Sequence, residues 1–113
     1  MKRAIVLGCA LLVGCSAIDV AAPPPSALAI ERGRSLFLNK GCATCHVNSR
    51  ADPTSDPLDH VGPNLTAYTN DPVFLRQWLA DPAATRPTTT MPDLDLAPAE
   101  IEDLIAFLND HGE

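Results

Sequence analysis

From Ser26 onward the apolar residues recur at intervals of three and four, and no segment shows the strict alternation of a half-buried strand. The clearest run is the last, where Ile101, Leu104, Ile105 and Leu108 stand at i, i+3, i+4 and i+7 and Phe107 flanks the stripe. Pro98 suits the first helical position, where an N–H would have no partner, and Ala97 stands where a Ser or Thr cap is usual. A middle helix is predicted from Asp71 as N-cap and Pro72 as first residue, through Phe74, Leu75, Trp78 and Leu79, to a stop before Pro82. The first helix opens at Ser26 and carries Ala29, Gly33, Leu36 and Phe37 before Gly41 ends it. Gly33 within that helix costs about 1 kcal/mol relative to alanine, which is most easily understood if another helix crosses closely there. Asn48 to Asp59 is polar and holds Pro53 and Pro57, Val61 to Leu65 reads as a turn, and a Pro- and Thr-rich stretch leads to Met91-Pro92. The pattern predicts one all-α domain of three to four short helices joined by loops.

The start of the chain has a different pattern. Lys2 and Arg3 precede an apolar run from Ala4 to Val13 that is too short to span a bilayer as a helix, which is the layout of a secretory signal. The run ends in Leu12-Val13-Gly14-Cys15, the order of a lipoprotein signal, in which the cysteine is lipidated and becomes the new N-terminus. Cys9 fits that role worse, with Leu7 where a smaller residue is expected, and belongs to the discarded segment. Cleavage after Ala22 is the alternative and leaves a soluble protein. Residues 16–25 lack periodicity and end in Ala-Ala-Pro-Pro-Pro, an extended tether reaching up to roughly 30 Å at polyproline geometry. The expected division is a signal over 1–14, a lipidated Cys15 with its tether over 15–25, and a folded domain over 26–113.

Charge and composition narrow the partners. The chain has 8 basic and 14 acidic residues, and loss of Lys2 and Arg3 with the signal takes the net charge from −6 to −8. Such a surface argues against nucleic acid and anionic lipid and suits a basic face on another protein. Aromatic residues make up 4% of the chain, so a domain of roughly 100 residues builds a marginal core unless a staple or cofactor completes it.

The candidate for that cofactor is Gly41-Cys42-Ala43-Thr44-Cys45-His46. A redox dithiol wants its C-x-x-C at the start of a helix that follows a strand, and here the pair follows a helix with no strand before it. A structural zinc site needs four ligands, and adjacent Cys45 and His46 are poorly placed to share one tetrahedral ion. The C-x-x-C-H pattern is also the mark of c-type haem attachment: two thiols three positions apart reach the two vinyl groups on one porphyrin edge, and the histidine behind them faces the iron.

With this motif the chain resembles a class I mono-haem cytochrome c over Ser26 to Asp110. The markers, in order, are Gly33-x-x-Leu36-Phe37, Lys40 to His46, Gly62-Pro63-Asn64-Leu65, Trp78-Leu79, Arg86-Pro87, Met91-Pro92 and Leu104-Ile105-Ala106-Phe107-Leu108. The resemblance implies a cytochrome c fold around one covalent haem c, held by Cys42 and Cys45. It implies His46 and Met91 as axial ligands of the iron, with the carbonyl of Pro63 accepting the other ring N–H of His46. It places Gly33, Phe37 and Phe107 where the first and last helices cross, with Leu104 and Leu108 at the haem or the crossing. Trp78 is implied as a donor to a haem propionate, and Tyr68 as a weaker contact at that edge. His60 and His111 are read as surface histidines. The chain departs from the family pattern in Arg86-Pro87-Thr88, where Lys-Pro-Gly is common, in Ala97 as a cap, and in the short stretch between Leu65 and Asp71.

The expected function is one-electron transfer in or near a membrane respiratory chain, with no enzymatic activity and no small-molecule substrate. The partners expected are redox proteins, including membrane complexes, and the membrane itself through the lipid anchor. The expected location is the periplasmic side of the membrane, anchored or, as the alternative, soluble. Two rival readings are a subunit that works only within a larger oxidoreductase complex, and a ligand-binding or peroxidase-like haem protein in which Met91 leaves the iron.

Overall fold

The computed structural model describes residues 23–112. The expected signal, Cys15 and the tether as far as Ala22 lie outside the described residues, and Pro23 to Pro25 are exposed and without regular structure. Five α-helices and no strand are found among the described residues: α1 (Ala27–Asn39), α2 (Cys42–Cys45), α3 (Pro72–Ala80), α4 (Pro82–Thr85) and α5 (Pro98–Asn109), with a 3₁₀ turn over Pro57–Asp59. The three long helices are those of the hydrophobic pattern. The two additional ones are single turns, too short for a period of 3.6 to register in sequence.

Local chemistry sets the boundaries. Ser26 Oγ accepts from Ala29 N at 3.2 Å, and Asp71 Oδ1 accepts from Val73 N at 2.8 Å and Phe74 N at 3.1 Å. Asp81 ends α3 and caps α4, its Oδ1 accepting from Ala84 N at 2.9 Å. Ala97 offers no side-chain cap, but its own N–H donates to Glu100 Oε2 at 2.9 Å, so half of a reciprocal cap survives. The first and last helices are joined by the chain's main interhelical contact, α1 on α5.

Gly33 stands at that crossing. A Cβ there would lie 2.0 Å from the carbonyl oxygen of Asp103 and 2.6 Å from Phe107 Cβ, so only glycine permits this approach. One turn on, the Phe37 and Phe107 rings pack with centroids 5.8 Å apart and tilted by 57°, a geometry worth about 0.5–1.5 kcal/mol beyond area burial. Ion pairs lie over the seam: Arg32 Nε on Asp103 Oδ2 at 2.7 Å and Lys40 Nζ on Glu100 Oε1 at 3.0 Å join α1 to α5, and Arg76 pairs with Glu102 to join α3 to α5. Phe37, Leu75, Leu79, Ile101, Leu104, Ile105, Phe107 and Leu108 are buried. Several of them, Phe37, Leu75, Leu79, Leu104 and Leu108, also line a hollow beside α3 and α5, and that hollow carries the candidate chemistry.

Candidate functional site

One wall of the hollow is the segment after α1. The chain turns through Gly41 (φ 91°) into α2, which puts Cys42 in the buried layer and leaves Cys45 and His46 partly exposed. The backbone leaves helical geometry at His46 (φ −122°, ψ 135°), whose N–H donates to Cys42 O at 2.9 Å. The turn over residues 62–65 closes on this segment. Gly62 N donates to Cys45 O at 2.7 Å, and Leu65 N to Val47 O at 2.7 Å. A Cβ on Gly62 would lie 2.7 Å from Cys45 O and from His46 Cε1 and Nδ1, so the glycine makes a cradle for the imidazole.

His46 Nδ1 lies 2.9 Å from the carbonyl oxygen of Pro63. A carbonyl only accepts, so Nδ1 carries the proton and Nε2 keeps its lone pair, the tautomer suited to binding a metal through Nε2. Proline has no N–H of its own and stiffens the turn that presents this acceptor.

Another part of the lining comes from the loop between α4 and α5. Thr89 N donates to Arg86 O at 3.0 Å, Met91 N to Thr89 Oγ1 at 3.2 Å, and Asp95 N to Asp93 Oδ1 at 2.9 Å, so local turns hold Met91 in place. The Trp78 indole N–H is directed at Met91 Sδ, 3.1 Å away, and the Arg86 guanidinium sits 5.8 Å from the centre of the Trp78 ring. Trp78 also stacks on Phe74, one turn earlier on α3, with centroids 6.0 Å apart. Tyr68 borders the same hollow and its hydroxyl accepts from Asn70 Nδ2 at 2.9 Å.

Cys42, Cys45, His46, Pro63, Trp78 and Met91 therefore line a single cavity of about 660 Å³, together with Leu104 and Leu108 of α5. That volume is of the size that holds cofactor-sized molecules, roughly 300–1,000 Å³. Two thiols, one imidazole and one thioether on an apolar lining make a donor set suited to a flat, apolar ring carrying a soft or borderline metal. The residues present fit a covalent porphyrin. A second depression of about 390 Å³, between Glu31, Ser35 and Glu100, is an open furrow between α1 and α5.

The other readings of the cysteine pair fare worse. The pair does open a helical turn, contrary to the sequence argument, yet burial pushes the Cys42 thiol up, opposite to the activated thiol of a dithiol switch. Cys42 and Cys45 form no disulfide. Among the described residues no three His, Cys, Asp or Glu side chains converge as a tetrahedral zinc site requires.

Three supporting residues were not legible. Asn48 is 1% exposed; its Nδ2 donates to Leu65 O at 3.1 Å and its Oδ1 accepts from Arg50 N at 3.0 Å, binding the His46 segment to the 62–65 turn. Arg50 donates to the carbonyls of Phe107 (2.9 Å), Leu108 (3.3 Å) and Asp110, satisfying the C-terminal end of α5, and lies 4.8 Å from the centre of the Phe107 ring. Sequence gave only a polar stretch here, and no local pattern identifies a partner 60 residues away. His60 is not the plain surface histidine expected: it is half-buried, with Nδ1 2.8 Å from Asp56 O and Nε2 3.1 Å from Ala43 O, so it fastens the 56–61 loop to α2. His111 is exposed as expected.

The family model described as Cytochrome c matches residues 30–111. No curated protein and no solved structure matches the chain.

Proposed function

Because the chain belongs to the cytochrome c family, whose members bind covalent haem c, we propose that it is a one-electron carrier with His46 and Met91 on opposite faces of the haem iron. The observation that carries this is the convergence of Cys42, Cys45, His46 and Met91 on one cavity from two chain segments more than forty residues apart. When bound, the haem supplies a ferric/ferrous couple. Cys42 and Cys45 hold it by thioether links and take no part in redox themselves. His46 offers Nε2 while Pro63 keeps Nδ1 protonated, and Gly62 leaves room for the ring. Met91 offers a soft thioether, which favours the ferrous state and raises the reduction potential. If His46 and Met91 both hold the iron, the arrangement would suit electron transfer over binding an outside molecule, which supports reading the chain as an electron-transfer protein and not an enzyme.

The amino-terminal pattern completes the reading. Export by the signal over 1–14, lipidation at Cys15 and the tether over 15–25 keep the domain over 26–113 at the periplasmic side of a membrane, beside the membrane complexes that supply and accept its electron. The capped start of α1 at Ser26 and a family match opening at Ile30 are consistent with that division.

The test is the optical spectrum of the oxidised holoprotein. A long-wavelength charge-transfer band from thioether to ferric iron is expected, lost in Met91→Ala with the haem still attached. Rapid carbon monoxide binding by the reduced wild-type protein at neutral pH would overturn the ligation and favour a ligand-binding haem protein. The mass of the mature protein reports haem attachment, cleavage site and acylation together, and a chain beginning after Ala22 without lipid would overturn the anchor.

A further inference from the structure

Two apolar side chains stand far out of the surface beside the cavity. Leu58 and Val61 are each 91% exposed, more than any other large apolar residue described. Isolated exposed apolar residues need no explanation, but these two lie on one short segment, and Val61 also borders the cavity mouth. The segment is fastened to the site. His60 Nε2 lies against Ala43 O, Gly62 N donates to Cys45 O, and Asp56 Oδ1 accepts from Leu58 N at 2.9 Å to hold the 3₁₀ turn. The loop therefore displays Leu58 and Val61 from a braced position over the Cys42–Cys45 turn.

The charge around them is one-sided. Among the described residues Arg32, Arg34, Lys40, Arg50 and Arg76 each pair with a carboxylate, and Arg86 stacks on Trp78. Among the described residues no Lys or Arg pairs with Asp56 or Asp59 on the Leu58 loop, or with Asp93 and Asp95 beyond Met91. Asp52 on the same loop is held below its ordinary value by the Thr54 hydroxyl and N–H, with His60 a smaller contribution. The uncompensated negative charge thus includes carboxylates on both loops that flank the cavity, while the cations are engaged elsewhere.

We propose that Leu58 and Val61 form the apolar centre of the docking surface for a redox partner protein whose own face carries an apolar spot ringed by Lys and Arg. The proposal rests on the electron-carrier reading and names the chemistry of the partner. The apolar pair excludes water at the contact, and the surrounding carboxylates steer the encounter and set its orientation. Val61 precedes the Gly62 that cradles His46, so a partner seated on it stands next to the haem's attachment segment. An anionic lipid surface is disfavoured by the same carboxylates.

The experiment is voltammetry of the haem-loaded protein on gold coated with a mixed monolayer of methyl- and ammonium-terminated alkanethiols, a surface of the inferred partner chemistry. Electron exchange is expected to be faster there than on an all-methyl or all-ammonium layer. The variant Leu58→Ser/Val61→Ser should slow it at least tenfold at an unchanged midpoint potential. Asp56→Asn/Asp59→Asn should flatten the ionic-strength dependence, Asn at 56 keeping the cap. Leu28→Ser/Val73→Ser, which removes the most exposed large apolar residue of α1 and of α3, should leave the rate as it is. Equal rates in wild type and Leu58→Ser/Val61→Ser, or equal loss in Leu28→Ser/Val73→Ser, would overturn the docking surface and leave the carrier standing. Absence of any reversible couple would overturn both. Binding to phosphatidylcholine vesicles, or a dimer, that Leu58→Ser/Val61→Ser abolishes would assign the pair to a membrane or to a second copy and overturn the partner proposal.

Discussion

Replacing Gly33 by alanine tests whether the α1–α5 crossing is set by backbone contact. The new methyl would sit 2.0 Å from Asp103 O, and reaching an ordinary 3.4 Å contact moves the helices apart by about 1.4 Å. The nearest atom is a carbonyl oxygen inside α5, so no rotamer change relieves the clash, and truncating the Asp103 side chain would not rescue it. Overpacking a close-fitted site costs about 1–3 kcal/mol, and the backbone partner puts this site at the upper end. Alanine returns about 1 kcal/mol of helix propensity. The net loss is about 2 kcal/mol, which for a domain of this size lowers Tm by roughly 8–16 °C. Thermal unfolding of the haem-loaded protein, followed by far-ultraviolet circular dichroism and by haem absorbance, measures it. A variant as stable as wild type, or more stable, would show that the crossing yields freely and that Gly33 is merely tolerated.

Removing the haem should unfold most of the domain. At about 24 cal/mol per Å³ of cavity, an uncollapsed hollow of about 660 Å³ sets a ceiling of roughly 16 kcal/mol. A third of that rivals the whole stability of an ordinary domain, about 5–15 kcal/mol. A compact, cooperatively melting haem-free form by circular dichroism would refute this. Acid should also loosen the α5 seam. Glu100 is held below its ordinary value of 4.5 by the Ala97 N–H and then by Lys40, and Glu102 below 4.5 by Arg76. Their folded values are depressed, so the stability they add is present above about pH 4.5 and is lost as pH falls through the lowered values. Tm should fall as pH drops from 5 to 3, less steeply in Glu102→Gln, and an unchanged slope in that variant would remove Arg76–Glu102 from the account.

The three long helices and their faces were legible because an amphipathic helix writes its period and its caps into neighbouring residues: Ser26, Asp71 and Pro98 mark starts, and the Ile101 stripe marks the buried face. The attachment motif was legible for a similar reason, since two thiols must reach one ring edge, and an imidazole the iron, from neighbouring positions in the chain. The turns α2 and α4 were not, being shorter than one hydrophobic period. Nor were the parts played by Asn48, Arg50 and His60, whose hydrogen bonds reach carbonyls 17 to 60 residues away.

Local chemistry thus determined where the three long helices run, where the cofactor is fastened and that the first helix needs a close neighbour. Only tertiary structure decided that Gly33 meets the carbonyl of Asp103, that Gly62 and Pro63 close over His46, and that Met91 comes to line the same cavity beside the indole of Trp78. It also decided that Leu58 and Val61 stay outside while their loop is pinned to α2. The physical reason is range. Periodicity and capping act over a few residues of chain, whereas burial, close approach and the pairing of a ring nitrogen with a distant carbonyl exist only once the helices have packed.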